Sequence, residues 1–414
     1  MKINHLFTYE NKLLILLSFT FGFVLFDRMA LTFLVPFFDR ELGLNNIEIG
    51  LLSSLLALAW AISGYLTGTL SDKTGKRKQY LIIAVAAFSI CSFTSGLAKS
   101  FGFLLLARII MGLAEGPVLP LAQSIMIDAS AEKRRGLNMG FMQSFVSNVL
   151  AMLAPIIVVG LATNFGWRKT FFIAGLPGLV LATIGFFYIK EPNAMVIKEK
   201  KQKVSIAGLL HYRNVRASIL LSCCMMTWLS AQITFLPKYL VLIKHFTPKD
   251  MGSTMTAFGL GAIIWGVVVP SLSDKLGRKP IVIGCFLLSA LMPVSVIYLG
   301  NSSISLAPLL LLGASAMGCF PIVLATIPSE TMPRQYVAQT LGLVMGIGEV
   351  VGGFMAPAVA GWSADQFGLH APFFIATGAT LAGGLIAFGL YETAPALLNK
   401  KTKNSSLIEL QPSK

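Results

Sequence analysis

The sequence carries two copies of one loop motif, "LSDKTGKRK" at residues 70–78 and "LSDKLGRKP" at 272–280. The copies lie 202 residues apart. The same offset relates three further pairs of segments: "TFL" at 32–34 and 234–236, Ala-Pro at 154–155 and 356–357, and "FGWRKTFFIAG" at 165–175 with "FGLHAPFFIAT" at 367–377. One offset that serves four separate segments indicates an internal duplication of nearly the whole chain.

The composition indicates that both copies lie in a membrane. Of the 414 residues, 55% are hydrophobic and 12% are charged, whereas soluble domains have about 25% charged residues. The mean hydropathy is +0.75. Apolar runs of about 20–25 residues recur, and each can cross a hydrocarbon core about 30 Å thick. We predict twelve spans, at about 13–36, 47–70, 79–98, 101–126, 136–161, 168–189, 215–243, 250–272, 280–299, 304–327, 337–361 and 371–391.

An even number of spans in each copy gives the two copies the same orientation in the membrane. We therefore predict an all-α membrane protein with two six-helix bundles related by a parallel repeat. The predicted bundles cover residues 1–190 and 215–395, the polar segment 191–214 is a cytoplasmic linker, and residues 396–414 form a cytoplasmic tail. The first apolar run has full length and no small-residue cleavage site, so we expect no cleaved signal peptide.

The distribution of charge orients the chain. With both termini placed in the cytoplasm, 24 of the 33 Lys and Arg residues fall in inward segments, 7 in outward segments and 2 within spans. This asymmetry follows the positive-inside rule, so the net charge of +15 predicts no nucleic-acid partner. Short loops and the absence of a signal peptide favour a bacterial inner membrane, and we expect a monomer.

Once the charges in loops and near span ends are set aside, five charged residues remain inside the predicted spans: Asp27, Arg28, Arg108, Glu115 and Glu349. A charge at the bilayer centre costs at least about 2.5–3.5 kcal/mol on insertion scales, so such residues face a polar cavity and have partners. Ion pairs that only lock helices together are the structural alternative. Five such residues exceed what packing requires, which favours a function for the set.

Asp27 and Arg28 need different partners because neighbouring helical side chains point about 100° apart. The helical rise places Asp27 at the same depth as Arg108, so we predict that these two pair and that Arg28 faces the cavity. A guanidinium there favours an anionic ligand, above all a carboxylate. Asp27 and Glu115 are titratable carboxyl groups, which suit proton coupling.

Several other residues within spans are interpreted as structural. Gly112 and Gly116 on the fourth helix predict the close approach of a neighbouring helix. The five cysteines all lie in apolar spans and are predicted to pack as small apolar residues, with no disulfide set and no metal site. Lys238, near the outer end of the seventh span, is expected to snorkel.

Four motifs resemble the major facilitator superfamily. "GTLSDKTGKRK" at 68–78 is similar to the family's loop between the second and third helices, and the residues that this implies for gating are Asp72, Gly75, Arg77, Asp274 and Arg278. "FDR" at 26–28, "ARIIMGLAEGPVLPLAQS" at 107–124 and "TFLPKYL" at 234–240 resemble the organic anion:cation symporter branch. That branch includes sugar-acid, sialic-acid and vesicular glutamate carriers.

The resemblance implies a role for four of the five charges within spans. In that branch the first-helix arginine, here Arg28, binds the substrate carboxylate. Asp27 and Glu115 serve in proton coupling, and Arg108 pairs with Asp27. The implied protein is a proton-coupled symporter of a small organic anion, which works by alternating access and needs no cofactor except the coupling proton.

The chain departs from this branch at two positions. Sugar-acid members have a tyrosine where this chain has Trp60, which puts the recognition of sugar hydroxyl groups in doubt because an indole only donates. Glu349 lies outside the pattern, and it binds a substrate amine, adds a proton site or bonds to a neighbouring polar side chain. Three further residues are predicted to line the cavity: Gln143, Asn148 and Gln232.

Other functions remain as alternatives. The Asp-Arg pair and the turn in the fourth helix also resemble lysolipid carriers of the spinster type. A multidrug antiporter is disfavoured because "GFMQSFVSNVLAMLAP" at 140–155 replaces the expected Gly-Pro-rich fifth helix. A membrane sensor would carry a soluble signalling domain, for which the linker and tail are too short. An enzyme is not expected, since the spans contain no His, no phosphate-binding glycine loop and no nucleophile beside a base.

Overall fold

The computed structural model describes residues 8–131, 134–142, 146–191, 205–299, 301–333, 336–395 and 397. Within these residues lie twelve long helices: α1 Tyr9–Phe38, α2 Asn46–Thr74, α3 Arg77–Gly96, α4 Phe101–Ala129, α5 Val146–Phe165, α6 Trp167–Tyr188, α7 Arg213–Leu242, α8 Pro248–Leu276, α9 Arg278–Tyr298, α10 Ser303–Thr331, α11 Gln339–Phe367 and α12 Ala371–Ala387. Eleven are long and apolar enough to cross a membrane, and α12 is a shorter apolar helix. The predicted all-α fold with twelve membrane helices is confirmed.

The duplicated loop motif ends a helix at a left-handed glycine in both copies. α2 begins with a capping box, in which Asn45 Oδ1 accepts from the Glu48 backbone N–H at 2.8 Å and the Glu48 carboxylate accepts from the Asn45 N–H at 3.0 Å. It ends at Gly75, where φ is +70°. Gly277 has a φ of +105° immediately before α9. Glycine adopts this backbone without strain, which explains the glycine in both copies.

The chain forms two compact units. The first contains residues 1–199, 233–259 and 354–369, and the second contains residues 200–232, 260–353 and 370–414. The boundaries of the two predicted bundles stay a prediction.

In the first unit, α1 packs against α5 and α6, α3 packs against α4 and α6, and α2 packs against α4. α4 consists of two segments, Phe101–Glu115 and Val118–Ala129. Pro117 explains the break, because proline has no N–H to donate within the helix and its ring clashes with the preceding turn. The break places Glu115 at the end of a helical segment in the middle of the unit.

The close helix contact predicted at Gly112 and Gly116 is confirmed. A Cβ at Gly112 would collide with the backbone oxygen of Leu56 in α2, and a Cβ at Gly116 would collide with the backbone oxygen of Trp60. The backbones of α2 and α4 therefore lie in direct contact, as small residues allow between membrane helices.

Replacing Gly112 by alanine is expected to destabilise the protein by about 1–3 kcal/mol, because the added methyl group overpacks the contact between α2 and α4. Gly102→Ala on the same helix is the matched control, since a Cβ there meets nothing within 4 Å. It should be neutral or up to about 1 kcal/mol stabilising, because alanine is the better helix former. Thermal unfolding in detergent measures both, and equal midpoints for the two variants would contradict the expectation.

In the second unit, α7 lies against α11 at small residues. A Cβ at Gly352 would collide with Met226 Cβ, and the Ser230 hydroxyl donates to the Gly352 carbonyl at 2.5 Å. At this point α11 contains the π-helical turn Glu349–Met355. Such turns are rare and are frequent at functional sites.

Candidate functional site

Asp27 of α1 is fully buried in the first unit. Arg108 Nη1 of α4 lies 4.0 Å from Asp27 Oδ2, and the Oγ of Ser92 in α3 lies 2.5 Å from Asp27 Oδ1. The structure thus brings together the two charges that helical depth predicted to pair. It adds Ser92, which no sequence pattern indicated.

Arg108 is 0% exposed and has hydrogen-bonding capacity to spare. Its Nη1 donates to Met111 Sδ at 3.1 Å, and its Cζ lies 5.0 Å from the centroid of the Phe171 ring. Among the described residues, its Nε and Nη2 have no hydrogen-bond acceptor. Buried donors almost always have a partner, so these two N–H groups suit water or a polar ligand.

Glu115 is 1% exposed, and neither carboxyl oxygen has a hydrogen-bond partner in the part of the chain that the structure describes. Its carboxyl group interacts electrostatically with Asp27, Arg28 and Arg108. Glu115 is therefore held by charge and not by hydrogen bonds. It can bind a proton or a polar ligand group without first breaking a hydrogen bond.

Arg28 is half-buried on α1, and its Cζ lies 5.9 Å from the centroid of the Trp60 ring on α2. This is the distance of a cation–π contact. The Trp60 backbone oxygen lies against Gly116, one residue after Glu115. The structure thus places the predicted substrate-binding residues Arg28 and Trp60 beside the cluster of buried charges.

The second copy of the repeat has apolar residues at the positions of the Asp27–Arg108 pair. The positions 202 residues after Asp27 and Arg108 are Leu229 and Leu310. Leu310 is fully buried in the second unit. Because an apolar side chain satisfies packing at this point of one copy, packing alone does not explain the buried charges of the other.

The remaining predicted lining residues differ in their surroundings. Gln232 on α7 is 1% exposed, and neither of its amide atoms has a partner among the described residues. Asn148 on α5 is exposed, and Glu349 is half-buried at the first residue of the π-helical turn. Gln143 and the side chain of Asp72 lie outside the described part of the chain.

In each copy an arginine of the loop motif pairs with an acid at the end of the fourth helix of that copy. Arg77 lies 2.8 Å from Asp128. Arg278 Nη2 lies 3.0 Å from Glu330 Oε1, and Arg278 Nη1 lies 2.6 Å from Asp274 Oδ1. Asp128 and Glu330 were missed, although they also lie 202 residues apart. Applying the repeat offset to every charged residue would have found them.

In each copy, a glutamate that follows the sixth helix accepts a backbone hydrogen bond at the end of the loop motif. The backbone N–H of Lys78 donates to Glu191 at 3.0 Å, and that of Arg278 donates to Glu392 at 2.7 Å. Partial burial raises the pKa of Glu392, but four backbone N–H donors outweigh it and hold that pKa below its ordinary value. The start of the helix after each loop is therefore neutralised by a carboxylate.

Lys238 does not snorkel as expected. Its side chain is 8% exposed, and its Nζ lies 3.2 Å from Asp39 Oδ2 in the first unit. Asp39, the residue after α1, is 5% exposed and accepts the Arg40 backbone N–H at 2.8 Å. The expectation was wrong because a buried carboxylate lies within reach, and an ion pair then replaces contact with water.

A family model described as Major Facilitator Superfamily matches residues 17–357 and 245–412. A probable 4-methylmuconolactone transporter of Cupriavidus pinatubonensis is 26% identical over 79% of this chain and 78% of its own length. The quinolone resistance protein NorA of Staphylococcus aureus is 24% identical over 88% of this chain and 95% of its own length. The probable sulfoacetate transporter SauU of Cupriavidus necator is 24% identical over 87% of this chain and 89% of its own length.

Solved structures show the same fold. A bacterial homologue of the human lysosomal transporter Spinster, in an inward-facing and occupied conformation, superposes with a TM-score of 0.77. The similarity covers 92% of this chain and 96% of that chain, at 17% sequence identity. At this identity the likeness concerns the fold alone.

Proposed function

We propose that this chain, which belongs to the major facilitator superfamily, carries a small organic anion together with protons. Family and relatives make the protein an integral membrane transporter and not an enzyme. The observation that carries the finer proposal is the buried cluster of Asp27, Arg108 and Glu115 beside the half-buried Arg28.

Two arginines support an anionic substrate. Arg28 lies over Trp60, and a guanidinium binds a carboxylate through two parallel hydrogen bonds. Arg108 has two N–H groups without an acceptor among the described residues. The relative named for sulfoacetate supports an organic anion as the substrate class.

Two buried carboxyl groups support proton coupling. Asp27 and Glu115 are both buried and both interact electrostatically with Arg108, and none of the four histidines falls within α1–α12. These two carboxyl groups are therefore the proposed carriers of the coupling proton. Rocking of two bundles would expose the site to each face in turn, with both termini in the cytoplasm of a bacterial cell and the protein a monomer in the inner membrane.

Arg28→Gln is expected to weaken carboxylate binding by about 30-fold or more, because a charge-assisted paired hydrogen bond is lost. Asp27→Asn should retain binding but uncouple transport from the proton gradient. Ligand-induced thermal shifts over a panel of carboxylates, sugar acids and amino acids measure binding, and uptake into proteoliposomes with an imposed gradient measures coupling. Arg40→Gln is the control, since Arg40 is exposed. Equal loss of binding in both site variants would refute this division of roles.

Export of an amphipathic compound is the second candidate, and the similarity to NorA favours it. Lysophospholipids and lipophilic cations belong in the same thermal-shift panel. If they alone stabilise the protein, and Arg28→Gln leaves that stabilisation unchanged, export replaces the anion symport proposed here.

A further inference from the structure

Ser92 has two acceptors for one hydrogen. Its side chain is fully buried in the C-terminal third of α3, and its Oγ lies 2.5 Å from Asp27 Oδ1 on α1 and 3.1 Å from the backbone oxygen of Phe171 on α6. A hydroxyl group carries one donor hydrogen and two acceptor lone pairs. Ser92 can therefore donate to Asp27 or to Phe171, but not to both at once.

The other serines of α3 are bonded within their own helix. The Ser89 hydroxyl donates to the Val85 carbonyl at 2.9 Å, and the Ser95 hydroxyl donates to the Cys91 carbonyl at 2.8 Å. α6 packs closely against both Ser89 and Ser92: a Cβ at Gly178 would collide with Ser89 Oγ, and one at Gly175 would lie 3.0 Å from Ser92 Cβ. Ser92 differs because its hydroxyl also reaches Asp27 on α1. The packing of α3 on α6 thus places the Ser92 hydroxyl between two helices.

We propose that the Ser92 hydroxyl reverses its hydrogen bond when Asp27 gains a proton. When Asp27 is ionised, Ser92 donates to the carboxylate. When Asp27 is protonated, its O–H donates to Ser92 Oγ, and the Ser92 hydrogen turns to the Phe171 carbonyl. The proton stays on Asp27 and no covalent bond of Ser92 changes. The inference rests on the proposed function, since it requires Asp27 to take up a proton.

Ser92 is the neighbour of Asp27 that can hydrogen-bond to its carboxyl group in both protonation states. Within the described part of the chain, the titratable and charged groups that interact with Asp27 are Arg108 and Glu115 on α4 and Cys91 on α3, and the sequence of α5 contains no titratable residue. Arg28 follows Asp27 on α1. Among the described residues, Ser92 is the sole hydrogen-bond partner of the Asp27 carboxyl group, because Oδ2 has none.

The reversal would link proton binding to helix packing. In the ionised state Ser92 ties α3 to α1 through Asp27. In the protonated state the chain of two hydrogen bonds runs from α1 through α3 to the backbone of α6. Ser92 is thus a positioning residue, through which protonation of Asp27 adds a contact between α3 and α6.

Infrared difference spectroscopy of the purified full-length protein, titrated with acid, tests the proposal without a known substrate. The carbonyl stretch of protonated Asp27 is identified as the band that Asp27→Asn removes. In Ser92→Ala we expect its midpoint to move to higher pH by about one unit, because hydrogen bonds to a charged acceptor are the stronger ones. Ser92→Thr keeps the hydroxyl and should restore the wild-type midpoint. Ser89→Ala and Ser95→Ala should leave it unchanged.

The outcomes distinguish the role of Ser92 from that of Asp27 as the proton carrier. A band that titrates in the wild type and has the same midpoint in Ser92→Ala overturns the role of Ser92 and leaves Asp27 as the proton carrier. The absence of any titrating band that Asp27→Asn removes overturns both. If Ser92→Ala does not fold, Ser92→Cys keeps the size with a weaker donor, and an unchanged midpoint there overturns the role of Ser92.

Discussion

Replacing Arg108 by leucine is expected to lower the free energy of unfolding by about 3–5 kcal/mol. The substitution would leave Asp27 buried without its cation and would remove one of the two cations that interact with Glu115, and a buried ion that loses its partner is strongly destabilising. Leucine is a fair test of the charge, because Leu310 is buried at the corresponding position of the second copy. Thermal unfolding in detergent and the yield of folded protein measure the loss.

The triple variant Asp27→Asn, Glu115→Gln and Arg108→Leu is the matched control. It removes all three charges together, so its stability should lie within about 1–2 kcal/mol of the wild type, since a buried ion pair is often replaced by neutral groups at little cost. Proton-coupled transport should be absent in the triple variant. If it is as unstable as Arg108→Leu alone, the loss has a steric origin and the electrostatic account is wrong.

The fold was predictable because a membrane restricts the choices of a chain. Backbone groups in the hydrocarbon core must bond within their own helix, so long apolar runs predict helices directly. The offset of 202 residues then predicted two copies with the same orientation. Depth along a helix depends only on the rise per residue, which is why Asp27 could be paired with Arg108 from sequence.

Other parts of the site depend on how each helix is rotated about its axis, and sequence does not give that rotation. Ser89, Ser92 and Ser95 are equally polar residues of α3, yet only Ser92 points to Asp27. Met111 and Phe171 contact Arg108 for the same reason, and neither has a chemical signature that predicts it. The sequence therefore predicted charges that need partners but not which neutral residues serve them.

Replacing Lys238 by methionine is expected to cost about 3–5 kcal/mol of stability, because Asp39 would remain buried without its cation. Combining Lys238→Met with Asp39→Asn should recover most of the lost stability. Lys249→Met is the control, since Lys249 is exposed at the start of α8 and should change stability by less than about 0.5 kcal/mol. Thermal unfolding of the single and double variants gives the coupling energy of the pair.

The Lys238–Asp39 pair holds α7 to the end of α1. The first unit has a second such contact, in which Asp365 of α11 accepts the backbone N–H groups of Asn46 and Ile47 at 2.9 and 2.8 Å. The exchange of charges by Asp39→Lys with Lys238→Asp tests whether the attraction itself matters. It should be more stable than either of its single substitutions, each of which buries two like charges. If the double exchange is no more stable than its parts, Lys238 contributes through the packing of its aliphatic stem, and the coupling energy should be near zero.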